Sequence, residues 1–160
     1  MASTMARPRG FTLIEMVVVV MLVGILASAA MPLASLQHRR GQESELRQNL
    51  RTIRTAIDLY KDAWDAGRIE KREGDTGYPP SLQALVTGVP DISQAGGGRM
   101  YFLRRVPRDP FADVTVPAEQ TWGLRAYASP PEAPAPGADV FDVHSLSEAA
   151  ALDGSLYRSW

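Results

Sequence analysis

The feature that most constrains this chain is an apolar run from Phe11 to Leu36 that contains one ionisable residue, Glu15. At about 1.5 Å per residue, a helix over residues 11–31 spans roughly the 30 Å hydrocarbon core of a bilayer. A helix that is apolar on every side needs lipid or other protein around it. Nearly all remaining charge lies outside the run, so the formal net charge of −1 averages two unlike segments. No acidic or basic excess points to nucleic acid or to an acidic substrate. The chain has no cysteine, so the fold cannot rest on disulfides, Cys-zinc sites or thiol catalysis.

Two readings of the N-terminus compete. Arg7 and Arg9, the apolar middle and Ala27-Ser28-Ala29 suit a secretory signal peptide, which would leave a soluble secreted protein starting near Ala30. Against it, a signal peptide gains nothing from Glu15, and the apolar pattern continues through Leu33 and Leu36 into a helical segment. The second reading rests on Arg7-Pro-Arg-Gly-Phe-Thr-Leu-Ile-Glu15. This stretch resembles the prepilin N-terminus shared by type IV pilins and type II secretion pseudopilins. Gly10, aromatic Phe11 and Glu15 must coincide ahead of an apolar span, which makes the match specific. The resemblance implies a leader over residues 1–10, cleavage between Gly10 and Phe11 by a prepilin peptidase, and N-methylation of Phe11. It also implies that Gly24 and Pro32 fall where the helix is loosened or bent.

A carboxylate in a lipid-embedded helix is costly and by default signals a function and a partner. Cleavage would leave a positive amine on Phe11, and methylation keeps that charge. In a staggered bundle that amine can neutralise Glu15 of a neighbouring subunit; the alternative is that Glu15 snorkels to the nearby interface. Arg7 and Arg9 precede the run and Arg39 and Arg40 follow it, so charge alone assigns no orientation. The resemblance implies a cytoplasmic leader and a periplasmic head.

Pro32 lacks the helical N–H donor, so a bend or break is expected near residues 29–32. Further on, Leu46, Leu50, Ile53, Ile57, Tyr60 and Trp64 recur every three or four residues, predicting one apolar stripe on a helix. The other face is polar, through Gln42, Glu45, Arg51, Thr55, Asp58, Asp62 and Asp65. Glu43 and Arg47, like Lys61 and Asp65, are spaced as favourable helical pairs. Gly67 suits the left-handed position that stops a helix. The stripe is too short for a coiled-coil seam and is expected to pack on the chain's own head.

Beyond Gly67 the chain is rich in Gly and Pro and reads as loops. Residues 81–86 predict a short helix ended by Gly88. Residues 122–128 and 140–146 predict strands, and 155–160 a short third one. The expected fold is α+β: a long N-terminal helix, half transmembrane and half amphipathic, packed on a small C-terminal antiparallel sheet in the manner of pilins. Segments 77–85, 105–111, 122–127, 140–145 and 152–160 resemble, in order, those of the major pseudopilin family, protein G of the general secretion pathway. Many members bind calcium in an acidic loop near the C-terminus. Here residues 147–154 offer only Glu148 and Asp153, whereas calcium takes six to eight oxygens, so no metal or other cofactor is expected.

Asp142, His144, Ser145 and Ser147 superficially resemble a catalytic set. In a regular strand, however, both serines face away from His144, so His144 reads as structural and no catalytic residue is assigned. Gly96-Gly97-Gly98 lacks the Lys-Ser/Thr that follows in a phosphate loop. Arg99, Arg104, Arg105 and Arg108 lack interleaved readout residues and suit a solvated or subunit-contact patch rather than nucleic acid. The expected plan is a leader over residues 1–10, a transmembrane assembly helix over 11–36 and a periplasmic head over 37–160. The resemblance implies a non-enzymatic subunit that polymerises from the bacterial inner membrane into a type II secretion pseudopilus. It implies as partners further copies of the chain, other pseudopilins, the prepilin peptidase, and the inner-membrane platform with its assembly ATPase. A type IV pilin for adhesion, motility or DNA uptake is the alternative, and a secreted soluble protein the second.

Overall fold

The computed structural model describes residues 10–94 and 96–160, apart from the side chains of 29–33. Helix α1 (Leu13–Asp65) is continuous. Of the bend or break expected near residues 29–32, a break does not occur, because losing one helical hydrogen bond at Pro32 does not stop a helix whose neighbouring turns are intact. By its internal contacts the chain divides into two compact units, with the boundary between Arg40 and Gly41.

The second unit has its own core. Leu46, Leu50, Ile53, Ile57 and Tyr60 are buried along one face of α1, as the stripe predicts, and Ala56 and Ala63 fill the gaps between them. Trp64 is half-buried at the end of the stripe. The helix stops in a Schellman motif: the Gly67 N–H donates to the Trp64 carbonyl at 3.0 Å and the Arg68 N–H to the Ala63 carbonyl at 2.9 Å. Gly67 meets the positive φ this requires, at 70°. Lys61 and Asp65 pair at 2.5 Å, as their spacing predicts.

Helix α2 (Leu82–Thr87) begins where Ser81 accepts the Ala84 N–H at 3.3 Å and ends at Gly88, as expected from residues 81–88. Its Leu82 and Leu85 join the core. Strands β1 (Val89–Pro90) and β2 (Arg99–Met100) then form a short antiparallel ribbon. This ribbon has no signal in the sequence, because two-residue strands are too short to show alternation.

Strands β3 (Trp122–Arg125) and β4 (Asp142–Ser145) pair antiparallel, with Trp122 opposite Ser145 and Gly123 opposite His144. Both lie inside the predicted segments and are shorter than them. Val143 and Ser145 point inward, while Asp142 and His144 are half-buried. The third strand expected over residues 155–160 does not form. Leu156 makes an isolated bridge to Ala150, and Tyr157–Ser159 is a 3-10 turn. The Ala151 N–H donates to the Ser155 carbonyl at 2.7 Å, so this segment closes on its own loop instead of extending the sheet. Tyr157 is fully buried and stacks on Phe111 at 4.1 Å between centroids. The α+β class holds, with two small ribbons against one helix in place of a three-stranded sheet.

Candidate functional site

The start of α1 carries the residues that the sequence singles out. Gly10 and Phe11 are exposed and precede the helix. Thr12 caps the helix: its hydroxyl accepts the Glu15 N–H at 3.3 Å and its carbonyl the Met16 N–H at 3.2 Å. Thr12 and Glu15 therefore stand in the positions of a capping box. Sequence reasoning missed the Thr12 cap, although the Thr-x-x-Glu spacing carries its signal. Glu15 also lies in the first turn, where the helix dipole favours a carboxylate.

Every large apolar side chain from Phe11 to Leu26 is exposed, from 45 % for Met16 to 82 % for Leu13. Each gains about 1.5–3 kcal/mol when fully buried, and consecutive positions share the exposure, so no face of this helix is suited to water. Gly24 is helical, with open space where a side chain would be. Among the described residues no helix is long and apolar enough to cross a membrane. The described side chains of the apolar run are interrupted after Ser28 and resume at Ala34, with Leu36 also exposed. Residues 29–33, which the sequence reading counts toward a span and which include Pro32, lie outside the described side chains, as does the leader with Arg7 and Arg9.

The superficial catalytic set disperses in the fold. His144 lies flat against Gly123, whose added Cβ would fall 2.2 Å from the imidazole Nε2. Burial holds the His144 pKa below the ordinary imidazole range; Asp142 opposes that shift, while Arg54 and Arg125 add to it. Asp142 is engaged by Arg54 at 2.7 Å and Arg125 at 3.7 Å. Ser145 is buried and donates to Asp109 at 2.6 Å.

The arginine cluster separates in the same way. Arg99 donates to the carbonyls of Thr87 and Gly88, and Arg108 to those of Val116 and Asp113. Arg104 and Arg105 are exposed. Glu43 and Arg47, spaced for each other, instead reach the C-terminal loop: Glu43 accepts from Leu152 and Tyr157, and Arg47 pairs with Asp153. Tertiary contacts outcompete the local pair here. Among the described residues, no three His, Asp or Glu side chains gather as a metal site would need.

Residues 5–31 match the family described as the prokaryotic N-terminal methylation motif. Over 111 residues the chain is 32 % identical to a type II secretion system core protein G of Klebsiella pneumoniae, covering 67 % of this chain and 71 % of that protein. The protein of the same name from Aeromonas hydrophila is 29 % identical over 111 residues, covering 67 % and 70 %. The type IV major pilin protein PilA of Myxococcus xanthus is 38 % identical over 86 residues, covering 49 % of this chain and 39 % of the pilin. No solved structure matches the chain. A prepilin-type N-terminus, an exposed apolar helical segment and a helix-packed α+β head thus accompany 32 % identity over two thirds of the chain, and the chain belongs to the type II secretion system core protein G family.

Proposed function

We propose that the chain is the polymerising subunit of a type II secretion pseudopilus, held in the inner membrane before assembly. One observation supports this above the others: an apolar helix exposed on all sides, with a single carboxylate near its start. Lipid covers such a helix in the stored subunit, and neighbouring copies cover it in the filament. The leader is removed between Gly10 and Phe11 by a prepilin peptidase, and the new amine is methylated. That amine pairs with Glu15 of an adjacent copy, and Gly24 and Pro32 let the helix bend as it packs. The head stays in the periplasm, and a single-pass anchor completes the topology. Other pseudopilins, an inner-membrane platform and its ATPase are the assembly partners. The chain performs no catalysis. Ser145, turned inward to Asp109 and away from His144, and Asp142, engaged by Arg54, support that reading.

The identity to a type IV major pilin favours one second reading, a surface pilus. Two measurements test the proposal. Mass spectrometry of the native protein should find a membrane-bound chain starting at N-methylated Phe11, and a soluble chain starting at Ala30 would sink it. Deleting the gene should leave exported enzymes in the periplasm. Normal export with loss of surface adhesion or motility would select the pilus.

A further inference from the structure

The resemblance implies calcium in an acidic C-terminal loop, as in many members of the family, and the donors present here do not fit that ion. Calcium takes six to eight oxygens at about 2.3–2.6 Å. Residues 147–155 bring two acidic side chains, Glu148 and Asp153. Both oxygens of Asp153 are engaged: Oδ1 accepts the Ser155 N–H at 2.9 Å and its hydroxyl at 2.6 Å, and Oδ2 faces Arg47 at 3.3 Å. A guanidinium at that distance repels a dication. Asp139 and Asp142, the other nearby carboxylates in sequence, are also engaged. Asp139 accepts from Thr76 and the Tyr127 N–H, and Asp142 from Arg54.

The loop is instead tied to α1 by side chains from far away in sequence. Glu43 Oε1 accepts the Leu152 N–H at 2.8 Å and the Tyr157 hydroxyl at 2.9 Å, across 109 and 114 residues. Arg47, one helical turn on, meets Asp153 and stacks over the Trp160 ring at 4.1 Å. Both Arg47 and Asp153 are about half exposed, so their pair alone contributes little. The weight falls on Glu43, whose carboxylate serves a loop amide and the buried Tyr157. Charge-assisted bonds of that kind are the stronger ones.

We propose that Glu43 and Arg47 form a metal-free latch on residues 147–155, with the Arg47 guanidinium supplying the positive charge that calcium supplies in relatives. The subunit then folds and polymerises without calcium. This inference concerns the head alone and does not rest on the secretion role, so its failure would leave that role untouched.

The test uses the full chain in detergent micelles, with thermal unfolding read in excess chelator and in millimolar calcium. The two melting temperatures should agree within about 2 °C. A rise of roughly 10 °C or more with calcium would overturn the latch, because ligands that bind only the folded state raise its stability in proportion to their occupancy. Glu43→Ala should lower the melting temperature by roughly 3–8 °C and speed hydrogen exchange at the Leu152 amide, with no recovery on adding calcium. Unchanged exchange at Leu152, or recovery by calcium, would refute the assignment. If Glu43→Ala does not fold, the wild-type comparison decides by itself.

Discussion

The Glu15 backbone N–H donates to the Thr12 hydroxyl at 3.3 Å, so Thr12 caps the helix on the very residue that carries the one carboxylate of its apolar part. That bond uses only the backbone of residue 15, so a substitution there leaves it in place and tests the charge. Gln serves a capping box as well as Glu does, but it cannot neutralise a neighbour's amine. Glu15→Gln should therefore keep normal expression and membrane fractionation while filament formation falls sharply. Glu15→Ala should assemble no better. Wild-type yields of sheared or cross-linked filaments from Glu15→Gln would refute the pairing and leave the residue with snorkelling alone.

Ile53 is fully buried in the middle of the α1 stripe. Truncation to Ala removes buried methylene groups and leaves a cavity, a change that typically costs 2–5 kcal/mol. Denaturant unfolding of Ile53→Ala should show a loss of about that size, whereas Asp58→Ala on the exposed face should stay within about 0.5 kcal/mol of wild type. Equal losses at both positions would contradict the orientation of α1 on the head.

Gly123 leaves no room for a side chain, because the His144 ring occupies the space a Cβ would take. Ring and backbone must part in Gly123→Ala, which should destabilise by about 1–3 kcal/mol through overpacking. Adding His144→Ala should recover part of that loss, since the clash partner is gone. Strict additivity in the double-mutant cycle would argue against the contact.

Asp91 is buried and accepts hydrogen bonds from Arg68 at 2.6 Å and from the Ser93 amide and hydroxyl. The bond from Arg68 is the largest cause holding its carboxyl at about 2, with Ser93 next, although burial opposes the shift. A folded pKa below the unfolded one gives stability that is full above the unfolded value, near pH 4. That stability is lost as pH falls toward about 2. Acid titration of the melting temperature should show this loss in wild type, and Asp91→Asn should flatten it. An identical acid profile in both proteins would remove Asp91 from the account.

Much of the architecture was legible because its causes are local. An apolar period of three or four residues buries one helix face wherever the helix lies, so the stripe from Leu46 to Tyr60 appears as expected. The stops at Gly67 and Gly88 follow from backbone preferences within a few residues. Glu15 stands out because one charge in an apolar run needs a reason. Even the dispersal of Ser145 from His144 follows from strand alternation.

Contacts between distant residues decided the rest. Residues 155–160 have strand-like composition, yet Tyr157 finds Phe111 and Glu43, and its loop bonds to itself. The β1–β2 ribbon exists because Val89 and Met100 meet, not because either segment alternates. Glu43 and Arg47 have the spacing of a helical pair, but such a pair contributes only about 0.2–0.5 kcal/mol. That is too little to hold Glu43 when a loop amide and a buried tyrosine hydroxyl offer stronger bonds from 109 and 114 residues away. Period, charge isolation and capping are written into neighbouring residues, so the sequence by itself determined the exposed apolar helix, the helical stripe and the helix ends. The choice among competing partners is made only when the chain has closed on itself. Strand lengths, the fate of the C-terminal segment and the Glu43–Tyr157 bond therefore belonged to the tertiary structure.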